Sequence, residues 1–402
     1  MNKISFLKNP VQEYAWGSRT AIQTLLGEPA PSERPAAELW MGAHPKSPSE
    51  VLVDGRWQSL EAVIGDSPRS ILGERVARKF SNTLPFLFKV LAADQPLSIQ
   101  VHPDLEQARA GFEKENDLGI PLDAAYRNYK DPNHKPEILS ALTPFQGLKG
   151  FRNISEMLEL MEKVSRSVMS AYLARLRNEP SVVGLKEFFT SLMSMDKDHQ
   201  GMAVTEAATI AEKYVPEDRA FFWMVELNRQ YPGDVGVFSP LFLNLVKLEP
   251  GEAIFLPAGE LHAYLQGVGI ELMANSDNVL RGGLTPKHID VPELLKIVDF
   301  EAGPAQEVES TSDGPCQTEY VTPAREFLLS VISLDEGECF ESLQDRSVEI
   351  LICVSGGAGV TDLRSREAFD LSKGTSVIIP SAVSGYTLEG NATLYKASVP
   401  MG

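Results

Sequence analysis

Two prolines four residues apart set the tightest constraint on this chain. They stand in Tyr129-Lys130-Asp131-Pro132-Asn133-His134-Lys135-Pro136-Glu137. Each proline fixes its own φ, removes a backbone donor and pushes the residue before it into extended backbone. The stretch therefore cannot be a helix; it reads as a stiff, extended edge. Extended backbone puts residues two apart on one face, so Lys135 and Glu137 point together. A cation beside a carboxylate can serve an anionic substrate next to a metal. The bland alternative is a solvated turn with a surface ion pair, and only the surrounding residues can separate the two.

The chain has 402 residues, 43% of them apolar, enough for a real core and two or three domains. Residues 1–60 are rich in Pro and Gly, with Trp16 and Trp40 beside glycines at strand-like ends, both expected to pack inside. Leu84–Ala93 is an apolar run that suits a buried strand, and Leu97–His102 alternates with period two. Between residues 153 and 231 the pattern changes. Ile154, Met157, Leu158, Met161, Val164, Val168, Tyr172 and Leu176 recur at helical spacing, with breaks expected at Pro180 and Pro216. Strand patterns return after residue 235. The expected fold is mainly β with an α-helical insertion of three to five helices. The expected division is 1–152 with 232–315 as a discontinuous catalytic jelly-roll domain, 153–231 as a helical domain, and 316–402 as a C-terminal β-domain.

A short internal repeat supports two barrels. Pro250–His262 aligns with residues 373–385 when Gly251 is set against Gly374, which puts Pro257 on Pro380 and His262 on Gly385. Each copy has a glycine turn, an apolar strand, a proline corner and a further strand. That layout suits cupin-type jelly rolls. Only the first copy keeps a residue able to bind a ligand, so the second is expected to be a degenerate, structural barrel.

Charge narrows the function: 37 basic against 55 acidic residues give 37 − 55 = −18. Such a chain is a poor partner for nucleic acid or an anionic membrane, and an anionic substrate would need locally clustered Lys and Arg. Cys316, Cys339 and Cys353 are scattered and odd in number, which fits a reducing cytosol and neither disulfides nor a thiolate metal site. No window is apolar enough to span a membrane, and the N-terminus lacks the apolar core of a signal peptide. A cytoplasmic protein is expected.

Gln100 and His102 are two apart on one strand face. Glu137 lies on the extended edge, and His262 follows a proline corner at the mouth of a predicted strand. If these strands are neighbours, two imidazoles, a carboxylate and an amide meet inside one barrel. Such a set suits Zn²⁺, with Fe²⁺, Mn²⁺ and Co²⁺ as plausible occupants. The loop Ala274-Asn275-Ser276-Asp277-Asn278 leads to Arg281 between small residues, where Gly282 and Gly283 let a ligand approach a guanidinium able to grip an oxyanion.

At these residues the chain resembles type I mannose-6-phosphate isomerases (phosphomannose isomerases). The resemblance is carried by Gln100-Val101-His102-Pro103-Asp104, by Tyr129-x-Asp131-x-Asn133-His134-Lys135-Pro136-Glu137, and by His262-Ala263-Tyr264-Leu265-Gln266-Gly267 leading into Arg281-Gly282-Gly283-Leu284-Thr285-Pro286-Lys287. With Tyr14-x-Trp16-Gly17 it extends over most of the first 300 residues, and beyond them only the general layout matches. It implies a cupin-type fold with a helical domain and one Zn²⁺ per chain held by Gln100, His102, Glu137 and His262. It also implies a sugar-phosphate substrate and a part in carbohydrate metabolism, including GDP-mannose biosynthesis. The catalytic arginine would be Arg281, with Lys135 and Glu271 as further active-site groups. Lys149 departs from the pattern, standing where a small or apolar residue is expected. Lys135 and Glu271 are candidates for proton transfer, with His134 and Asp277 behind them. Rival readings are a cupin oxygenase and a non-catalytic, metal-containing sugar-binding protein. The oligomeric state stays open, a monomer included.

Overall fold

The structure, a computed structural model, describes residues 1–401, apart from the side chains of Ser167 and Val168. Val168, one of the positions expected at helical spacing, thus lies outside the described side chains.

Two large antiparallel sheets make up the β part. The first, with ten strands, runs Leu243–Leu248, Phe145–Phe151, His262–Ala274, Phe86–Ala93, Glu38–Gly42 and Val11–Gln12, with Ile99–Val101, Glu137–Ala141, Ala253–Leu256 and Leu280–Gly283 branching from it. The strand His262–Ala274 organises it. Its first half pairs with Phe145–Phe151 and Ile99–Val101, and its second half with Phe86–Ala93 and Glu137–Ala141. The partners change at a bulge between Tyr264 and Gln266, followed by Gly267 at φ 129°. A Cβ on Gly267 would stand 2.8 Å from the Phe145 Cα and 2.9 Å from the Pro144 oxygen, so only glycine fits this barrel corner.

The second sheet, with eleven strands, holds the C-terminal part and also takes in N-terminal residues. The strand Ser5–Lys8 pairs with Ser376–Ile379 on one side and with Glu50–Val53 on the other. The internal repeat is visible in the backbone. Gly251 (φ 91°) and Gly374 (φ 85°) each precede a four-residue strand, Ala253–Leu256 and Ser376–Ile379. Each four-residue strand leads into one of thirteen residues, His262–Ala274 and Tyr386–Ser398.

Between the strands Phe145–Phe151 and Leu243–Leu248 come the helices Ile154–Val164, Ser167–Asn178, Val182–Met193, Lys197–Ala211 and Arg219–Gln230. The periodicity from 154 to 176 reads as one helix. The structure breaks it at Ser165, which leaves helical backbone (φ −86°, ψ 137°) while its N–H still caps the Met161 carbonyl. The apolar stripe continues across the break because both helices bury it against the same core. The basic stretch 69–80 is likewise two short helices, Pro68–Leu72 and Glu74–Lys79, parted at Gly73 with φ 89°. Pro103 and Asp104 start a helix as expected: the Asp104 side chain accepts from the Gln107 N–H and the Gln107 side chain accepts from the Asp104 N–H. No helix among the described residues is long and apolar enough to cross a membrane.

An aromatic cluster fastens the helical insertion to the barrel. The Phe189 ring lies 5.6 Å from Phe151, 6.0 Å from Phe242 and 5.9 Å from Phe300, centroid to centroid. Phe189 is 1% exposed. Phe189→Ala should therefore cost about 3–5 kcal/mol, read as a lower urea midpoint at an unchanged zinc content.

Candidate metal centre and active site

The segment read from Pro132 and Pro136 is not helical, as expected, but it is no continuous extended edge: it bends at residues 130–132 and then runs through irregular backbone into the strand Glu137–Ala141. The loop 275–278 clamps it. The Asn278 side-chain oxygen accepts the Lys130 and Asp131 N–H groups, and its amide donates to the Asp131 and Asn133 carbonyls. Asp131 in turn accepts from the Ser276 hydroxyl and the Asp277 N–H. Ser276 and Asn278 are thus buried structural links, whereas the sequence suggests a polar pocket edge.

Three of the four expected ligands converge. His102 stands one residue beyond the strand Ile99–Val101, Glu137 opens its own strand, and His262 opens the long strand. The His102 and His262 Nε2 atoms each lie 3.5 Å from Glu137 Oε2. Ligands on a tetrahedral zinc, with bonds of about 2.0–2.1 Å, sit about 3.3–3.4 Å apart. The Nδ1 atoms are already committed: His102 Nδ1 is 2.8 Å from the Asn278 carbonyl and His262 Nδ1 is 3.0 Å from the Glu260 carbonyl. A carbonyl only accepts, so each Nδ1 carries the proton and each Nε2 offers a lone pair. His102 Nε2 is buried without a hydrogen-bond partner. Burial, then the Lys135 cation, push the His102 imidazole down to about 4, so it is neutral at pH 7. An orphaned lone pair facing a carboxylate at this spacing fits a divalent metal. Among the described residues, His102, Glu137 and His262 form the group of His and acidic side chains able to hold one.

Gln100 is half-buried and pairs directly with both His262 and Arg281 in the strand register. Directly opposed residues share a face, so the amide side chain belongs to the same wall as His262 and Arg281. Arg281 is half-buried. Burial alone pulls its guanidinium below the usual value, and among the described residues no carboxylate stands within ion-pair distance of it. Lys135 Nζ lies 2.8 Å from Glu137 Oε1. Burial raises the Glu137 carboxyl, but Lys135 and His102 outweigh it and hold the group well below the usual carboxylate range.

Glu271 faces a partner that the sequence reading missed. Lys89 is its cross-strand neighbour, with Nζ 2.7 Å from Glu271 and 3.6 Å from Glu38. Glu38 also accepts the Trp40 indole N–H at 2.7 Å. One ammonium thus serves two buried carboxylates. They overcome its burial and keep Lys89 protonated, while burial, with Glu137 and Glu38 nearby, raises the Glu271 carboxyl against the pull of Lys89. The signal for Lys89 is in the sequence: a lone lysine inside the run Leu84–Ala93, where an unpaired charge could not be buried. The remaining proton-transfer candidates are also paired, Asp277 with Lys46 at 2.9 Å and His134 with Glu326 at 3.0 Å. Lys149, the departure noted in the sequence, is buried on the strand beside His262 and donates to the Gln306 carbonyl at 2.9 Å.

The Lys89 cluster gives a stability prediction. Lys89→Met should destabilise the protein by about 3–5 kcal/mol, because two buried carboxylates lose the cation that pairs with both. Adding Glu271→Gln should recover part of the loss; urea unfolding of the single and double variants checks both.

With this geometry in place, comparison with known proteins is informative. A family model for the catalytic domain of type I phosphomannose isomerase matches residues 4–154. The helical insertion domain of the same family matches 160–243, and a mannose-6-phosphate isomerase cupin domain matches 317–399. Mannose-6-phosphate isomerase of Escherichia coli (strain K12) is 46% identical over 393 residues, covering 96% of this chain and 97% of that protein. The Homo sapiens protein of the same name is 39% identical over 318 residues, 72% of this chain and 71% of its own. A zinc-bound crystal structure of a mannose 6-phosphate isomerase superposes with a TM-score of 0.91 at 41% identity, covering 99% of this chain and 100% of that one. A mutant of phosphomannose isomerase from Salmonella typhimurium gives 0.92 at 41% identity, with the same coverage. The chain belongs to the type I phosphomannose isomerase family.

Proposed function

We propose that this chain is a zinc-dependent aldose–ketose isomerase that interconverts mannose 6-phosphate and fructose 6-phosphate. The observation that carries this reading is the buried set of two imidazole Nε2 atoms, each 3.5 Å from one Glu137 carboxylate oxygen, together with a half-buried arginine that has no carboxylate within ion-pair distance among the described residues. Gln100, His102, Glu137 and His262 are the residues proposed to hold one Zn²⁺. When bound, the ion supplies Lewis-acid polarisation at the O1/O2 end of the sugar.

The reaction moves a proton between C1 and C2 through an enediol(ate), and its barrier is mainly the developing oxyanion. Arg281 is the proposed clamp for that charge, since among the described residues no carboxylate stands within ion-pair distance of its guanidinium. Lys135 and Glu271 are the proposed proton-transfer groups. Lys135 lies closest to the metal ligands, at 2.8 Å from Glu137. Glu271 sits deeper, 3% exposed, with its carboxyl raised toward the range useful for acid–base work. A cytoplasmic location and supply of GDP-mannose biosynthesis complete the proposal.

A coupled assay for fructose 6-phosphate tests the reading. Activity on mannose 6-phosphate should vanish with a chelator and return with Zn²⁺. A protein that keeps its zinc yet never forms the ketose would instead be a binding protein. Arg281→Ala should lower kcat by about 10²–10³-fold while zinc content stays at one per chain. A near-normal kcat in that variant would remove Arg281 from the mechanism.

A further inference from the structure

The strand Glu137–Ala141 is shared between the two barrels. Glu137 and Leu139 face the catalytic barrel, where Leu139 belongs to one core cluster with Leu91, Phe145 and Leu256. Ile138 and Ser140 point the opposite way, and Ile138 belongs to the core cluster that also holds Tyr320, Phe327 and Tyr395 of the C-terminal part. Ser140 Oγ lies 2.9 Å from Tyr320 Oη and 3.2 Å from Tyr395 Oη, and Tyr320 Oη donates to the Gly251 carbonyl at 2.7 Å. A carbonyl cannot donate, so Tyr320 spends its proton there. Ser140 then donates to Tyr320 and Tyr395 donates to Ser140, giving a chain in which every hydroxyl has a partner.

The other end of the segment is held by the same module. His134 Nε2 lies 3.0 Å from Glu326 Oε1, with the two side chains 28% and 17% exposed. Glu326 stands in the turn between the strands Gln317–Tyr320 and Leu328–Leu334, and its second oxygen accepts the Arg325 N–H at 3.1 Å. Between the two anchors lie Lys135 and Glu137. Pro132 and Pro136 stiffen the backbone on both sides of His134, so a displacement there passes to Lys135 and Glu137 instead of being absorbed locally.

We propose that Glu326 is a positioning residue for the reaction: its bond to His134 sets the placement of Lys135 and Glu137, which makes the C-terminal barrel a working part of the active site. No metal-ligand group is found in that barrel among the described residues, so its contribution runs through position. A misplacement of about 1 Å at reacting groups, caused by a mutation far from them, can cost about 10²-fold in rate. A single half-exposed anchor, with the Ser140 chain still intact, should cost less.

The inference rests on the isomerase reading and is tested in the zinc-loaded, full-length protein with mannose 6-phosphate. Glu326→Ala should lower kcat about tenfold, with KM changed much less, one zinc per chain and an unchanged melting temperature. Glu326→Gln keeps an acceptor for His134 Nε2–H and should retain most of the parental kcat. Parental kcat in Glu326→Ala overturns the proposal, as does an equal loss in both variants. If Glu326→Ala does not fold, Glu326→Asp serves instead: it keeps the charge but shortens the reach by one methylene, so a lowered kcat supports the proposal and a parental one overturns it. Failure of the functional reading is seen separately, as a parent protein with no activity on mannose 6-phosphate.

Discussion

A carboxylate closed off from water is the constraint around which this molecule is built. Glu137 is 3% exposed, and burying its charge costs several kcal/mol unless neighbours compensate. The structure surrounds it with Lys135 on one oxygen and two imidazole Nε2 atoms facing the other. Those imidazoles are useful only with the proton on the far nitrogen, and two backbone carbonyls, of Asn278 and Glu260, enforce that. The Asn278 carbonyl is placed because the Asn278 side chain is tied to the backbone of residues 130–133. The proline-stiffened edge therefore both supplies Glu137 and, through Asn278, fixes the tautomer of His102.

The same logic of paired opposite charges extends along the barrel wall. Lys89 sits between Glu271 and Glu38, and the strand of Glu271 separates it from the strand that carries Glu137. Net charge over the whole chain is −18, yet the wall that would meet an anionic sugar presents Arg281 and Lys135. The two facts are compatible because water and salt screen exposed charges beyond about 8–10 Å, so partly buried cations decide the local field. Unlike Lys89, Lys135 and Lys149, Arg281 has no carboxylate within ion-pair distance among the described residues.

The second barrel shows what the layout becomes without a ligand set. Where the first copy has His262, the second has Gly385, and its buried charged groups include Arg346, Glu349 and Lys396. Glu349 lies 3.4 Å from Arg346 and 3.6 Å from Lys396, so its charge is met by protein cations and no lone pair is left facing an orphaned imidazole. The layout is the same, but here the buried charges Glu349, Arg346 and Lys396 are paired with one another. Its outer face, through Ile138 and Ser140, still supports the strand that opens with Glu137.

Local rules in the sequence determined a good deal. Two prolines forbade a helix at 129–137, period-two alternation marked Leu97–His102, and the glycine–strand–proline repeat announced two barrels. Residue chemistry singled out His102, Glu137 and His262 because unpaired imidazoles and carboxylates are poor core residues. Other features depended on contacts between residues far apart in the chain. The break at Ser165 leaves no periodicity signal, because both helices bury the same stripe. Ser276 and Asn278 look like pocket residues until the backbone they bind is seen. Lys89 reads as part of an apolar strand until Glu271 is found across the register. The Glu326–His134 bond joins residues 192 positions apart. Periodicity and turn chemistry are properties of neighbours in sequence, so the chain alone could fix them. Which charge meets which is set by register and barrel closure, and that only the tertiary structure decided.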